Sequence, residues 1–261
     1  VASKKAYVTG TSGNVSGKAV TIPSKLGGYP VVGIDDGAFA YKSITGITIP
    51  NTVQTIGNSS FGNTAIETLV IPDSVTSIGR SAFGFCSLLK SVKLSAKLKK
   101  LDEFAFYYTA LESISIPKTL TELSGRVFLG CSKLKKVTLP STLKSIGDYA
   151  FGSCSSLQSI TIPNSVTAIG EQAFRECKAL KSIKLPNSVK KLGKFAFRAC
   201  TSLESITLSS NIKTLGEATF KECEKLKSIT LPEGVTTIGV SVFKDCKALS
   251  SIALPKSLTS L

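Results

Sequence analysis

One interval governs the chain. A proline follows an I-x-[IL] triplet at positions 50, 72, 117, 140, 163, 186, 232 and 255, and Ser95 and Ser209 stand in the same place. Successive marks are 22 or 23 residues apart, and only two steps are 22. Eleven residues after a mark comes Phe, at 61, 83, 106, 128, 151, 174, 197, 220 and 243, and Phe39 extends the series backward. Fourteen residues after a mark comes Cys, and all seven cysteines (86, 131, 154, 177, 200, 223 and 246) lie in that one column. A chain with a fixed period in the low twenties is an array of stacked units.

The unit reads L-x-x-I-x-L-P-x-S-V-x-x-I-G-x-x-A-F-x-x-C-x-x, which carries the leucine-rich-repeat signature. Its first part alternates apolar and polar, as in Ile160-Thr161-Ile162, the pattern of a short strand with one buried face. Pro ends that strand because it has no N–H to donate. The second part places Ala150, Phe151 and Cys154 at spacings that suit one face of a single helical or 3-10 turn. The fold class is therefore an α/β solenoid of 22-23-residue units, with a parallel β-sheet on one face and short helical or 3-10 turns on the other. No unit can bury its own face, so stability is shared between neighbours. Leu157, Ile160, Ile162, Val166, Ile169, Ala173, Phe174 and Cys177 are expected to form one core layer. Ten layers at about 4.8 Å each make a stack roughly 50 Å long.

In the two short steps, Thr64 and Thr109 take the place of Cys. Residues 1–34 depart from the pattern: "KAYVTG" and "KAVTIP" suggest two short strands joined by "TSGNVSG", and this segment is expected to cap the open end of the core. Residues 35–261 are then the array. The chain contains no Met, so Val1 reads as the start of a mature or trimmed chain. Leu261 aligns with Ile169, which predicts an array that continues beyond it.

The stretch from Leu139 to Phe174, "LPSTLKSIGDYAFGSCSSLQSITIPNSVTAIGEQAF", resembles the BspA-like, or Treponema-pallidum-type, leucine-rich repeats, whose unit is marked by I-G-x-x-A-F-x-x-C and L-x-x-I-x-[LI]-P. Val20 to Ala40, "VTIPSKLGGYPVVGIDDGAFA", is similar to the lead-in of such arrays, so the likeness covers residues 19–261. It implies a secreted or cell-surface protein that adheres to host matrix proteins, host cells or other microbes. It implies no catalytic residues.

The residues themselves point away from catalysis. The chain has no His, which removes Ser-His and Cys-His nucleophile activation and His-ligated metals. There is no C-x-x-C, so no zinc ligand pair, and no cofactor is expected. A column of cysteines with two Thr replacements is not a nucleophile or ligand set; it predicts seven free, buried thiols. No apolar run approaches the roughly 18 residues needed to span a bilayer, so no membrane insertion is expected.

A protein or glycan partner remains, bound by a chain expected to act as a monomer. The net charge of +15 suits solubility or steering toward an acidic partner. Its cations are mostly Lys, spread along the chain without interleaved stacking aromatics, which argues against nucleic acid. The outward strand face is hydroxyl-rich, with Lys93, Lys136 and Lys184 standing out, and would offer an extended partner a smooth concave surface. The column Glu67, Lys90, Glu112, Lys135, Gln158, Lys181, Glu204, Lys227 nearly alternates in sign and reads as structural. The irregular column two before Phe is the best local candidate for an anchor. With their neighbours it places Phe104, Tyr107, Tyr108, Arg126 and Tyr149 within three consecutive units. The basic run "LLKSVKLSAKLKKL" (Lys93, Lys97, Lys99, Lys100) is expected to border these rings and to suit an acidic protein or sulfated glycan. Two readings compete: a binding and adhesion module, and a structural spacer that presents another domain.

Overall fold

A computed structural model describes residues 4–11 and 13–260. Every repeat is one coil of a right-through solenoid, and consecutive coils bond to each other on three sides. Val1 and Leu261, and what was expected of each, lie outside the described residues.

The first side is the anticipated strand. Residues such as Thr68–Val70 and Ser91–Lys93 pair in parallel, each with the buried–exposed alternation expected (Leu69 and Val92 inside). This front ladder is bonded in stretches rather than continuously. Gly46–Thr48 does not bond to Thr68–Val70, nor Ser91–Lys93 to Ser113–Ser115. Those two breaks fall at the two 22-residue steps, where one residue is missing from the turn that feeds the strand. A third interruption surrounds Ile160–Ile162, which keeps its buried–exposed–buried pattern without strand hydrogen bonds. The strand whose sequence best illustrates the pattern is thus one that the ladder skips.

The second side was not anticipated. The pair after V-x, as in Lys100–Leu101, Ser145–Ile146 and Ala168–Ile169, makes its own parallel ladder, in register within stretches that break between Leu101 and Glu122 and between Leu192 and Thr214. The Gly that follows Ile fits here for lack of space: a Cβ on Gly147 would fall 2.6 Å from the Leu123 carbonyl oxygen of the previous coil.

The third side overturns the helical expectation: the described residues contain no α or 3-10 helix. Around Phe151, the N–H groups of Tyr149, Phe151 and Ser153 donate to Glu171, Ala173 and Arg175 of the next coil. Those of Gly152 and Cys154 donate three residues back, to Tyr149 and Phe151. Half of the N–H groups therefore serve the neighbouring coil, so no helical run can propagate. The residues two before and two after each Phe have left-handed φ, for example 55° at both Tyr149 and Ser153. That conformation ends a right-handed turn at once.

Behind these three sides runs the core. The ten column phenylalanines stack face to face from Phe39 to Phe243, with centroids 5.1 Å apart at the start and 5.8 Å at the end and rings within 14° of parallel. Offset aromatic stacking adds about 0.5–1.5 kcal/mol per pair beyond area burial. All eight residues of the anticipated layer are buried. Where Ser replaces Pro, its hydroxyl restores the turn: Ser209 Oγ accepts from the Asn211 N–H at 3.2 Å and donates to the Val189 carbonyl at 2.6 Å.

At the N-terminal end, Ala6–Val8 pairs in parallel with Val31–Ile34, and Ala19–Thr21 with Gly46–Thr48. Residues Lys25–Leu26 and Tyr29–Pro30 make the antiparallel hairpin between them.

Candidate interaction surface

The left-handed positions determine what the turn side displays. A side chain two before Phe or two after it leaves the core, so columns of such residues line this flank. Most are small or polar, but four consecutive coils place Phe85, Phe104, Tyr108, Arg126 and Tyr149 there. Arg80 and Arg126 lie over opposite sides of the Phe104 ring, at 4.8 and 5.4 Å from its centroid. Arg126 also lies 4.9 Å from the centroid of Tyr149. The Tyr149 hydroxyl accepts from the Gln172 amide, and Gln172 Oε1 accepts from Arg175 Nη1 at 2.9 Å. Arg175 then pairs with Glu176 at 2.8 Å, and Arg80 with Glu103 at 2.8 Å.

A second set of rings joins this strip. Tyr107 meets Phe104 edge-on at 5.1 Å and Phe85 at 4.5 Å. Phe85 stacks on Tyr108 at 5.5 Å. Tyr107 lies across Gly84, where a Cβ would collide with its ring. Phe85 and Tyr108 remain about half exposed, and Tyr41 beside them is 80% exposed. Tyr41, Phe85 and Tyr107 wall a shallow notch floored by Gly62 and Gly84. The five residues singled out in sequence are thus joined in one chain of contacts, Tyr108–Tyr107–Phe104–Arg126–Tyr149. Arg80, Phe85, Gln172 and Arg175 complete the set. All four arginines of the chain lie on this flank, and Arg126 itself occupies a left-handed position.

The lysines are placed elsewhere. Lys93, Lys136 and Lys184 project from the front strands. They belong to alternate coils and form no cluster. Lys184 borders an open groove with Thr161, Asn164, Asn187 and Ser188; Lys93 and Lys97 border another with Asn51 and Asp73. Lys99 and Lys100 sit at the second ladder, and Lys100 is held by Asp102 at 2.7 Å. Among the described residues, none of Lys93, Lys97, Lys99 and Lys100 stacks on a ring. The alternating column gives ion pairs Glu67–Lys90, Glu112–Lys135 and Glu204–Lys227 at 3.0, 3.5 and 2.8 Å, while Lys90–Glu112 and Lys181–Glu204 stay open. Exposed pairs of this kind contribute about 0–1 kcal/mol each.

The thiols are structural. All seven are free and buried, as the column pattern implied. Each donates to the carbonyl of the stacked Phe one coil earlier, as Cys154 does to Phe128 and Cys177 to Phe151. In the short units, Thr109 donates to the Phe106 carbonyl at 2.9 Å, and both Thr64 and Thr109 contact the next Cys at 3.2 Å. The column accepts Cys or Thr because both are small donors. Burial raises every resolved thiol pKa, to about 11 for Cys131 and Cys246. A thiol held protonated is a poor nucleophile and metal ligand. Among the described residues, no group of three His, Cys, Asp or Glu is placed to hold a metal ion. No helix of the described residues is long and apolar enough to cross a membrane.

Comparison with known sequences identifies the repeat. The family model described as "BspA type Leucine rich repeat region" matches in six copies, over residues 32–157 and 144–261. The chain belongs to this family. As a BspA-type array it is similar to a leucine rich cell surface protein from Faecalibacterium prausnitzii, at 30% identity over 99% of this chain and 86% of that one, with a TM-score of 0.59. It is also similar to a leucine-rich repeat protein from Bacteroides ovatus, at 30% identity over 93% of this chain and 82% of that one, with a TM-score of 0.69. No curated protein matches the chain. Arrays of this family are protein-interaction modules, and the solenoid fold is typically non-catalytic.

Proposed function

We propose that this BspA-type array is a non-enzymatic adhesion module of a secreted or cell-surface protein, and that it binds a protein partner through the ring-and-arginine flank. The observation that carries the proposal is the strip Arg80–Phe104–Arg126–Tyr149–Gln172–Arg175, joined to Phe85, Tyr107 and Tyr108. Aromatic residues and Arg are the side chains that protein interfaces concentrate, because they bury large rigid surfaces at small entropic cost. Here they are preassembled by stacking on one another, so little ordering is left for the binding step. The likeness to a leucine rich cell surface protein supports an extracellular location. The lack of His and the raised thiols support a role without catalysis. The array acts as a monomer in this reading.

The test is direct binding of the purified chain to a panel of immobilised extracellular-matrix proteins and mucin. Saturable binding to at least one protein supports the reading. Uniform absence of binding contradicts it.

A further inference from the structure

A second flank has a composition unlike the first. Four residues after each Pro mark, between one buried side chain and the next, the coil turns a residue outward at the edge of the second ladder, exposed in every coil except at the half-buried Thr76 and Thr236. Across the array this column holds only Gln, Thr and Lys. Its lysines are Lys99, Lys144, Lys190 and Lys213, all exposed. Thr121 and Thr167 separate the first three, so from Lys99 to Lys190 Lys recurs at every second coil; Lys213 follows in the coil directly after Lys190. Among the described residues none of these four lysines has a carboxylate partner within ion-pair distance. The adjoining column contributes Lys100, held by Asp102, and Lys191, and its one carboxylate is Glu122.

The backbone fixes the spacing from Thr121 to Lys190. The Lys144 N–H donates to Thr121 at 2.7 Å, Thr167 to Lys144 at 2.8 Å, and Lys190 to Thr167 at 2.9 Å. The backbones of Lys144 and Lys190 are therefore about 10 Å apart along the axis, twice the strand spacing, with the Thr167 hydroxyl between them. Lys99 lies two coils before Lys144, across a break in this ladder. We infer that this flank is a binding track for a linear acidic polysaccharide lying parallel to the solenoid axis. A six-membered sugar ring plus its bridging oxygen is about 5 Å long, close to the strand spacing of about 4.8 Å. A polymer that alternates a uronate with a neutral sugar thus brings one carboxylate to every second coil, where Lys99, Lys144 and Lys190 stand. Its intervening hydroxyls face Thr121 and Thr167. Nucleic acid fits this flank less well: it carries no ring for base stacking, and every arginine is on the other flank. The track is a site separate from the aromatic strip and does not depend on the protein partner proposed above.

The probe is hyaluronan, a uronate polymer with one carboxylate per disaccharide, titrated into the intact chain at low and at physiological salt. Neutral dextran and duplex DNA serve as comparisons. The track predicts binding to hyaluronan that weakens as salt rises, and none to dextran. The Lys99→Gln/Lys144→Gln/Lys190→Gln variant is expected to lose about tenfold or more in affinity, equivalent to about 1.4 kcal/mol. The front-face variant Lys93→Gln/Lys136→Gln/Lys184→Gln, which removes the same charge, is expected to change affinity less than about threefold. Absence of hyaluronan binding at low salt overturns the inference. So does an equal loss in both variants, which is what net charge alone produces, or tighter binding of DNA that the flank variant abolishes. Binding to the matrix-protein panel is read separately, so either proposal can fail without the other.

Discussion

The Cys154 thiol donates to the carbonyl oxygen of Phe128, one coil earlier, across 3.3 Å. That bond joins the column of thiols to the column of stacked rings, and it recurs through the array. Cys154→Ala is expected to destabilise the array by about 1–2 kcal/mol, from lost packing and a lost donor. Cys154→Thr, which keeps a donor as Thr109 does, is expected to cost less. Chemical denaturation checks the order of the two.

The same burial makes the thiols unreactive. A thiol reagent added to native protein is expected to label slowly, and after denaturation to count seven. Fewer than seven in the denatured chain indicates bridges that this structure lacks.

Alkaline pH should expose the thiols thermodynamically. In the unfolded chain they ionise near pH 8.5. In the fold, burial holds Cys131 and Cys246 protonated up to about 11, and it pushes the Cys154 and Cys200 thiols up well above their ordinary value. A folded pKa raised in this way gives stability that is fully present below the unfolded pKa and lost as pH rises through the folded one. The melting temperature is expected to hold up to about pH 8.5 and then to fall toward pH 11. Each thiol contributes up to about 1.4 kcal/mol per pH unit in that window. Replacing Cys131 and Cys154 by Thr should flatten the decline.

The turn side stores strain at its left-handed residues. Ala199, at φ 58°, carries a Cβ where only glycine is at ease. Ala199→Gly is expected to raise stability by about 0.5–1 kcal/mol even though it deletes a methyl group. Phe151→Ala, by contrast, interrupts the ring stack and is expected to cost about 3–5 kcal/mol. Denaturant midpoints of the two variants should move in opposite directions.

The repeat was legible because its determinants are local and periodic. Pro at a strand end, a buried Phe and a small donor recur at fixed offsets, and the whole core layer from Leu157 to Cys177 followed from them. The turn was misread because Ala150, Phe151 and Cys154 have helical spacing for another reason. They alternate between bonding to the next coil and closing tight turns, and left-handed φ at Tyr149 and Ser153 leaves no mark in residue type. The second ladder was missed because a strand of two residues, such as Ser145–Ile146, is too short to show alternation. The ring cluster was legible only as departures from a column. Phe104, Arg126 and Tyr149 could be found that way, whereas Arg80 and Arg175 come from other columns and join the strip only in three dimensions, Arg80 on the Phe104 ring and Arg175 through Gln172.

The most direct test of the functional account compares three proteins on the same immobilised matrix proteins and mucin. These are the unaltered chain, the variant Phe85→Ser/Tyr108→Ser and the front-face variant Lys93→Gln/Lys136→Gln/Lys184→Gln. Both altered positions of the ring variant are half exposed, so its melting temperature should stay near that of the unaltered chain. The account predicts that the ring variant loses at least about tenfold in affinity, while the front-face variant binds as the unaltered chain does. Unchanged binding by a folded ring variant, with loss confined to the front-face variant, contradicts it.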